Sequence, residues 1–137
     1  MECTLVIIKP DAVLKGLVLD VKTRYILQEM KLQRSVTRVL DLHTASLLYA
    51  EHRGQFFFEG LVLAMVSGPC HVMVLSGRNV ICRVREMNGP TRDAPSGTIR
   101  GDFPSAGGPF NIVHGSDSPE AVLREIGILF PKLCTDE

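Results

Sequence analysis

Hydrophobic positions along the chain follow two rhythms, and the alternation between them predicts the elements. Thr4 to Ile8 is a continuous β-rich apolar run, the mark of a strand buried on both faces. It stops at Lys9-Pro10-Asp11. Val18, Val21, Tyr25, Ile26 and Met30 then recur at helical spacing and predict a first helix. Ser35 to Leu42 reads as a second strand. Thr44 is placed to cap a helix from Ala45 to about His52, and Leu61 to Val66 is a further short helical stretch after Phe56-Phe57-Phe58 and Gly60. Ser67-Gly68-Pro69 signals a turn, and Cys70 to Leu75 makes a third strand. Asn79 can cap a helix whose apolar positions, Val80, Ile81, Val84 and Met87, share one face.

From Gly89 to Asn111 the periodicity disappears among glycines and prolines. A segment that long without structure, inside a compact domain, is usually functional or disordered. Ile112 and Val113 offer a short last strand leading to His114. Ser118 then reads as an N-cap, Pro119 as the first helical residue and Glu120 as a first-turn carboxylate of a helix running to about Phe130. The order is βαββαβ with additions. It predicts an α/β (α+β) fold, a ferredoxin-like sandwich whose four-stranded antiparallel sheet is covered by helices, in a single domain over 1–137.

Composition narrows the class. A chain of 137 residues buries roughly two-thirds of its unfolded surface and folds without disulfides or metal. Formal net charge is zero, which argues against strong steering toward nucleic acid or an anionic membrane. Half of the arginines nevertheless crowd one stretch, Arg78, Arg83, Arg85, Arg92 and Arg100. Arginine suits bidentate phosphate contacts, although Arg78 and Arg83 read more simply as a solvated helix face. Cys3, Cys70, Cys82 and Cys134 are scattered without Cys-x-x-Cys spacing, which fits reduced thiols. Leu5 to Ile8 is too short to span a membrane and no signal peptide is evident, so a soluble cytoplasmic protein is expected.

Neither a P-loop nor a Gly-x-Gly-x-x-Gly run occurs, so phosphate handling would have to use side chains and short turns. His114, followed by Gly115-Ser116-Asp117-Ser118-Pro119, is the focus of interest. A histidine just before a helix N-terminus sits near backbone N–H groups and a positive dipole end, and imidazole can attack phosphorus. Alone, such a histidine is more often structural.

The ordered set of short motifs changes that balance. Ile8-Lys9-Pro10-Asp11, Tyr49 ahead of Phe56-Phe57, Leu61, Ser67-Gly68-Pro69 and Gly89 with Thr91 come first. Gly97-Thr98-Ile99-Arg100-Gly101-Asp102 follows, then Asn111 three residues before His114-Gly115-Ser116-Asp117-Ser118, and finally Glu125-Ile126. From Thr4 to Pro131 the chain resembles the nucleoside diphosphate kinase family. Glu51 to Gln55 and Gly89 to Arg92 look like a divergent branch of it.

The resemblance implies ping-pong transfer of the γ-phosphoryl group of a nucleoside triphosphate to a nucleoside diphosphate through a phosphohistidine at His114. Glu125 would orient the imidazole, with Ser116 and Tyr49 in support. Arg85, Thr91 and Arg100 would bind phosphates, Lys9 and Asn111 the ribose hydroxyls, and Phe57 would stack on the base beside Leu61. Mg²⁺ would bridge the phosphates, with no residue assigned as a metal ligand. Family members assemble as hexamers or tetramers, and a homo-oligomer, hexameric before tetrameric, is the expectation. The physical demands agree, because phosphoryl transfer needs positioning and cations against three oxygens.

Each residue also has a plainer reading. Phe57 and Tyr49 would ordinarily be core, Lys9 and Glu125 surface, and Thr91 and Asn111 loop positions. His43, His52 and His71 match no catalytic position and stay structural. Thr91 to Gly97 is shorter than the usual family loop, Phe103 to Phe110 slightly longer, and the chain ends soon after Phe130-Pro131, without the C-terminal extension of many eukaryotic members. The altered loop motivates a second reading: a nucleotide-binding or scaffold module of the same fold with little turnover.

Overall fold

The computed structural model describes residues 2–130. The strands are β1 (Glu2–Ile8), β2 (Lys31–Arg38), β3 (Cys70–Gly77) and β4 (Val113–Gly115). The helices are α1 (Pro10–Leu14), α2 (Val18–Leu27), α3 (Leu42–Leu48), α4 (Phe58–Met65), α5 (Val80–Asn88), α6 (Ile99–Asp102) and α7 (Pro119–Leu129), with a 3₁₀ turn over Ala50–His52. The strands form one antiparallel sheet in the order β2-β3-β1-β4. That is the expected four-stranded ferredoxin-like arrangement. Pro131 and Cys134 lie outside the described residues.

β1 and β3 occupy the middle of the sheet, and strand periodicity sorts their side chains between two cores. Leu5 and Ile7 join Val72 and Val74 on the face covered by α3, α4 and α7. Val6 and Ile8 join Met73 and Leu75 on the face that holds Val21 and Tyr25 of α2 and Val80 and Val84 of α5. A strand covered on both sides needs no polar alternation, which is why β1 reads as an unbroken apolar run. β2 lies at an edge. It is largely exposed and has a register irregularity between Leu32 and Arg34.

Several boundaries differ from the sequence expectation. β2 begins at Lys31 and ends at Arg38, because pairing with β3 outweighs its weak apolar pattern. α2 ends at Leu27, and Met30 reaches the core only after Glu29 turns the chain at φ 63. α3 starts at Leu42, capped by Asp41, whose carboxylate accepts from the Thr44 N–H at 2.7 Å. Thr44 is therefore inside the helix rather than its cap. Asn79 adopts a left-handed conformation (φ 52) and makes no side-chain cap bond. The carboxylate of Glu2 accepts the Ile81 N–H instead, at 3.0 Å. Ser118 caps α7 as predicted, accepting from the Ala121 N–H at 3.1 Å.

The segment from Gly89 to Asn111 is built, not featureless. α6 carries Ile99 into the core beside α5, capped by the Thr98 hydroxyl. Asp102 at its end pairs with Arg24 of α2 at 3.0 Å, and the Arg24 guanidinium lies over Phe103. Gly101 is obligatory here, since a Cβ would meet the Pro95 carbonyl oxygen at 2.0 Å. These contacts fold the loop back over the C-terminal end of α5.

Candidate active site

His114 lies in the middle of β4, opposite Ile7 of β1, inside the strand expected to lead up to it and ahead of the α7 cap Ser118. β4 is held by the central strand, so the imidazole is fixed at the end of the sheet's own core. The expected use of the α7 N-terminus is thus corrected. Residues 118 to 124 do not line the space in front of His114, and the Ser118 hydroxyl already takes a first-turn donor.

Glu125, nearly two turns into α7 on its buried face, reaches back to the imidazole. Its Oε1 lies 3.1 Å from His114 Nε2 and accepts the Ser116 hydroxyl at 2.6 Å. Burial pushes this carboxyl toward protonation. The His114 hydrogen bond and charge, the Ser116 hydroxyl and Arg124 (3.6 Å from Oε2) outweigh burial and hold its pKa below the ordinary value. An ionised carboxylate only accepts, so His114 Nε2 donates to Glu125, and the neutral imidazole held this way has its lone pair on Nδ1. Tyr49 stacks edge-on against the imidazole, with ring centroids 6.2 Å apart.

In front of the histidine is a cleft of about 440 Å³. Lys9, Tyr49, Phe57, Leu61, Arg85, Thr91, Arg100, Asn111, His114 and Glu125 all line it. Ser116 is the sequence candidate that does not; it stands behind Glu125, fully buried. Positions scattered over the whole chain therefore converge on one cavity.

The walls are set by local structure. Lys9 joins β1 to α1, and its Nζ donates to the Pro109 carbonyl at 2.7 Å and to Asn111 Oδ1 at 2.9 Å. Burial lowers its pKa to about 8, against the opposing pull of Asp11. Arg100 donates through Nε to the Asn111 carbonyl, through Nη1 to Gly89 and through Nη2 to Val113, at 3.1, 2.6 and 2.6 Å. Arg85 is exposed on α5, with Nη1 3.4 Å from the Gly115 carbonyl. At the opposite lip Phe57 is 39% exposed, its ring 5.3 Å from His52 and 5.4 Å from Phe56. An exposed aromatic face and a floor of cations suit a flat base attached to phosphates.

Known proteins resemble the chain over nearly its whole length. The nucleoside diphosphate kinase family profile matches residues 2–134. A nucleoside diphosphate kinase of Caldanaerobacter subterraneus is 44% identical over 97% of this chain and 96% of its own length. The chain belongs to the nucleoside diphosphate kinase family. With the family it belongs to the nucleotide-binding phosphotransferases.

The nucleoside diphosphate kinase of Aquifex aeolicus superposes with a TM-score of 0.90 at 36% identity, covering 96% of both chains. That of Halobacterium salinarum, solved with CDP, gives 0.89 at 40% identity, covering 94% of this chain and 87% of the other.

Other cleft residues of this nucleoside diphosphate kinase family member carried no usable sequence signal. His52, expected to be structural, lines the cleft and packs between Tyr49 and Phe57. Glu51, Asn88 and Asp117 also line it. Asp117 lies within the His114 to Ser118 motif, which by itself assigns it no role. Glu51 is a single acid in a polar stretch and Asn88 ends an amphipathic helix, so only folding reveals those two. His71 keeps its structural role on β3, with its ring 2.7 Å from the Thr37 hydroxyl and 3.4 Å from Lys22 Nζ.

Proposed function

We propose that the chain moves the γ-phosphoryl group from a nucleoside triphosphate to a nucleoside diphosphate by a ping-pong mechanism through His114. The observation that carries this is the Nε2–Glu125 hydrogen bond, which leaves Nδ1 as the open nucleophile in a cleft floored by Lys9, Arg85 and Arg100. Nδ1 forms a bond to the γ-phosphorus as the bond to the β,γ-bridging oxygen breaks. The electron pair goes to the departing diphosphate, and the cations of the cleft balance it. The imidazole becomes cationic on phosphorylation, and Glu125 stabilises that charge through Nε2. A second nucleoside diphosphate then reverses the step with its terminal oxygen as nucleophile.

Ser116 holds the second lone pair of Glu125 Oε1, and Tyr49 limits rotation of the ring. Thr91 and the arginines bind phosphate oxygens, while Lys9 and Asn111 face the ribose hydroxyls. Phe57, with Leu61 beneath it, stacks on the base. Stacking tolerates any base and is worth roughly 1–3 kcal/mol.

Among the described residues no group of three or more His, Cys, Asp or Glu side chains gathers to hold a metal ion. The donor set fits Mg²⁺ carried on the nucleotide's phosphates, with the exposed Asp117 carboxylate on the cleft wall available to it. When bound, Mg²⁺ would neutralise charge developing on the β- and γ-oxygens.

The two cores on opposite faces of one sheet support a single domain. The exposed outer edge of β2, with Leu19 and Leu27 exposed on α2, supports a homo-oligomer; the order hexameric before tetrameric follows from membership of the family. Zero net charge favours no nucleic acid. Free Cys3, Cys70 and Cys82 favour the cytoplasm, and no helix among the described residues is long and apolar enough to cross a membrane.

The test is incubation with γ-labelled ATP, removal of nucleotide, and detection of an acid-labile, alkali-stable label. Wild type acquires the label and His114→Ala does not. Exchange between ATP and dTDP that is no faster than in His114→Ala would leave only a binding module.

A further inference from the structure

We infer that Asn88 is a further phosphate-contacting residue of the cleft, positioned for that task by Tyr25; the inference rests on the phosphoryl-transfer reading above. Asn88 is the last residue of α5 and is only 2% exposed. Its Oδ1 accepts a short hydrogen bond from the Tyr25 hydroxyl. Tyr25 is fully buried between α2 and α5, and burial pushes its ionisation far above the ordinary range, so the hydroxyl remains a donor. A buried phenol has one hydrogen to give, and it goes to Asn88.

That bond fixes the amide. With the oxygen turned toward Tyr25, the NH₂ group points the other way, and it has no acceptor among the described residues. It is not a sealed orphan either, because Asn88 forms part of the cleft wall with Arg85, Thr91, Arg100 and His114. A Cβ on Gly115 would lie 3.0 Å from Asn88 Nδ2, so the amide rests against the residue next to His114. The open cleft lets water satisfy those donors, and a ligand group that displaces the water must supply an acceptor in its place.

Electrostatics identify the acceptor. α5 ends at Asn88, and the last carbonyls of a helix carry its negative end, a poor neighbour for an anion. Arg100 covers the Gly89 carbonyl, and the Asn88 amide adds donors at the same end. A neutral donor does so without adding to repulsion among Lys9, Arg85 and Arg100. The ligand group is the terminal phosphate of a nucleoside diphosphate, the part that must lie beside His114.

The experiment compares binding of ADP and AMP by calorimetry in wild type, Asn88→Leu, Asn88→Asp and Tyr25→Phe, with thermal unfolding of each. Asn88→Leu weakens ADP about tenfold while AMP changes less than about twofold. Asn88→Asp, which sets a like charge against the phosphate, weakens ADP about a hundredfold. Tyr25→Phe weakens ADP roughly threefold, and adds nothing in the Asn88→Leu background. Equal losses for ADP and AMP would mean a purely structural Tyr25–Asn88 pair and overturn the inference. Asn88→Asp binding ADP as well as Asn88→Leu would overturn it too. Should Asn88→Leu not fold, the other two variants carry the same comparison. A wild type without phosphohistidine, whose Asn88 variants still lose ADP selectively over AMP, sinks the transfer mechanism alone. A labelled wild type whose Asn88 variants lose ADP and AMP equally sinks only the role of Asn88.

Discussion

The Arg100 guanidinium donates to the carbonyls of Gly89, Asn111 and Val113, three separate parts of the cleft wall. A loop-borne phosphate ligand reads in the sequence as costing turnover more than folding when removed. The structure alters that expectation, because the same group also ties the loop to β4 and to the end of α5. Arg100→Ala should lose about 3 kcal/mol of stability as well as phosphoenzyme formation, read by urea denaturation and by labelling. An unchanged urea midpoint would show that the three carbonyl bonds carry no net stability. Lys9 makes a pH prediction. Its pKa is about 8 when folded, against 10.5 for the free group, so the unfolded chain holds more protons between these values. Its burial penalty is therefore present below pH 8 and relieved as pH rises toward 10.5, by about 3 kcal/mol at most. ADP affinity should fall as the ammonium is lost above about pH 8. A pH series on wild type beside Lys9→Met checks this, and the variant should lack the step.

At the scale of elements, β4 and its joints decide where the nucleophile stands. Ile112, just before the strand, has φ 76, a costly conformation for a β-branched residue. It is held by its N–H bonding to Asp11 Oδ2 at 3.2 Å, its carbonyl accepting from the Lys9 N–H at 2.8 Å, and complete burial. Gly115, after His114, leaves a side chain only tight space, since a Cβ would meet Val84 Cγ1 at 3.2 Å and Asn88 Nδ2 at 3.0 Å. Gly115→Ala should push β4 away from α5 and slow phosphoenzyme formation about tenfold, or about 1.4 kcal/mol in the barrier. Ser118→Ala, which removes only the α7 cap, should cost about 1 kcal/mol of stability and leave the transfer rate intact. Quench-flow labelling with urea denaturation separates the two outcomes. Equal rates for both variants would mean that the α5–β4 contact does not position His114.

Across the whole molecule, one face of the sheet edge is left uncovered. β2 is paired on one side only, and Leu19 and Leu27 project from α2 into solvent. Light scattering should give a mass several times that of one chain. Introducing charge by Leu19→Glu with Leu27→Glu should lower that mass, with secondary structure retained by circular dichroism. A monomeric wild type would refute the homo-oligomer. Unlike the edge, the active-site side is built from distant segments, β1, the α3–α4 connection, α5, α6, β4 and α7, all meeting at the cleft.

The amino-acid sequence by itself determined the strand-helix order, because β1, β3 and the α5 face carry unambiguous apolar periodicity. It also contained the motif order that singled out His114, Arg100 and Glu125. It could not place Asp41 as the α3 cap or Glu2 as the partner of the α5 N-terminus, since capping depends on backbone conformation and on what packs nearby. Nor could it place the helix inside the loop before His114, whose single apolar anchor, Ile99, leaves no period to read. The tertiary structure alone decided the rest. His114, expected between a short strand and the helix that follows, became the middle residue of the strand itself, because backbone pairing with β1 holds it there. His52 and Asn88 became cleft residues, because the direction of a side chain follows from the packing of elements far apart in the chain.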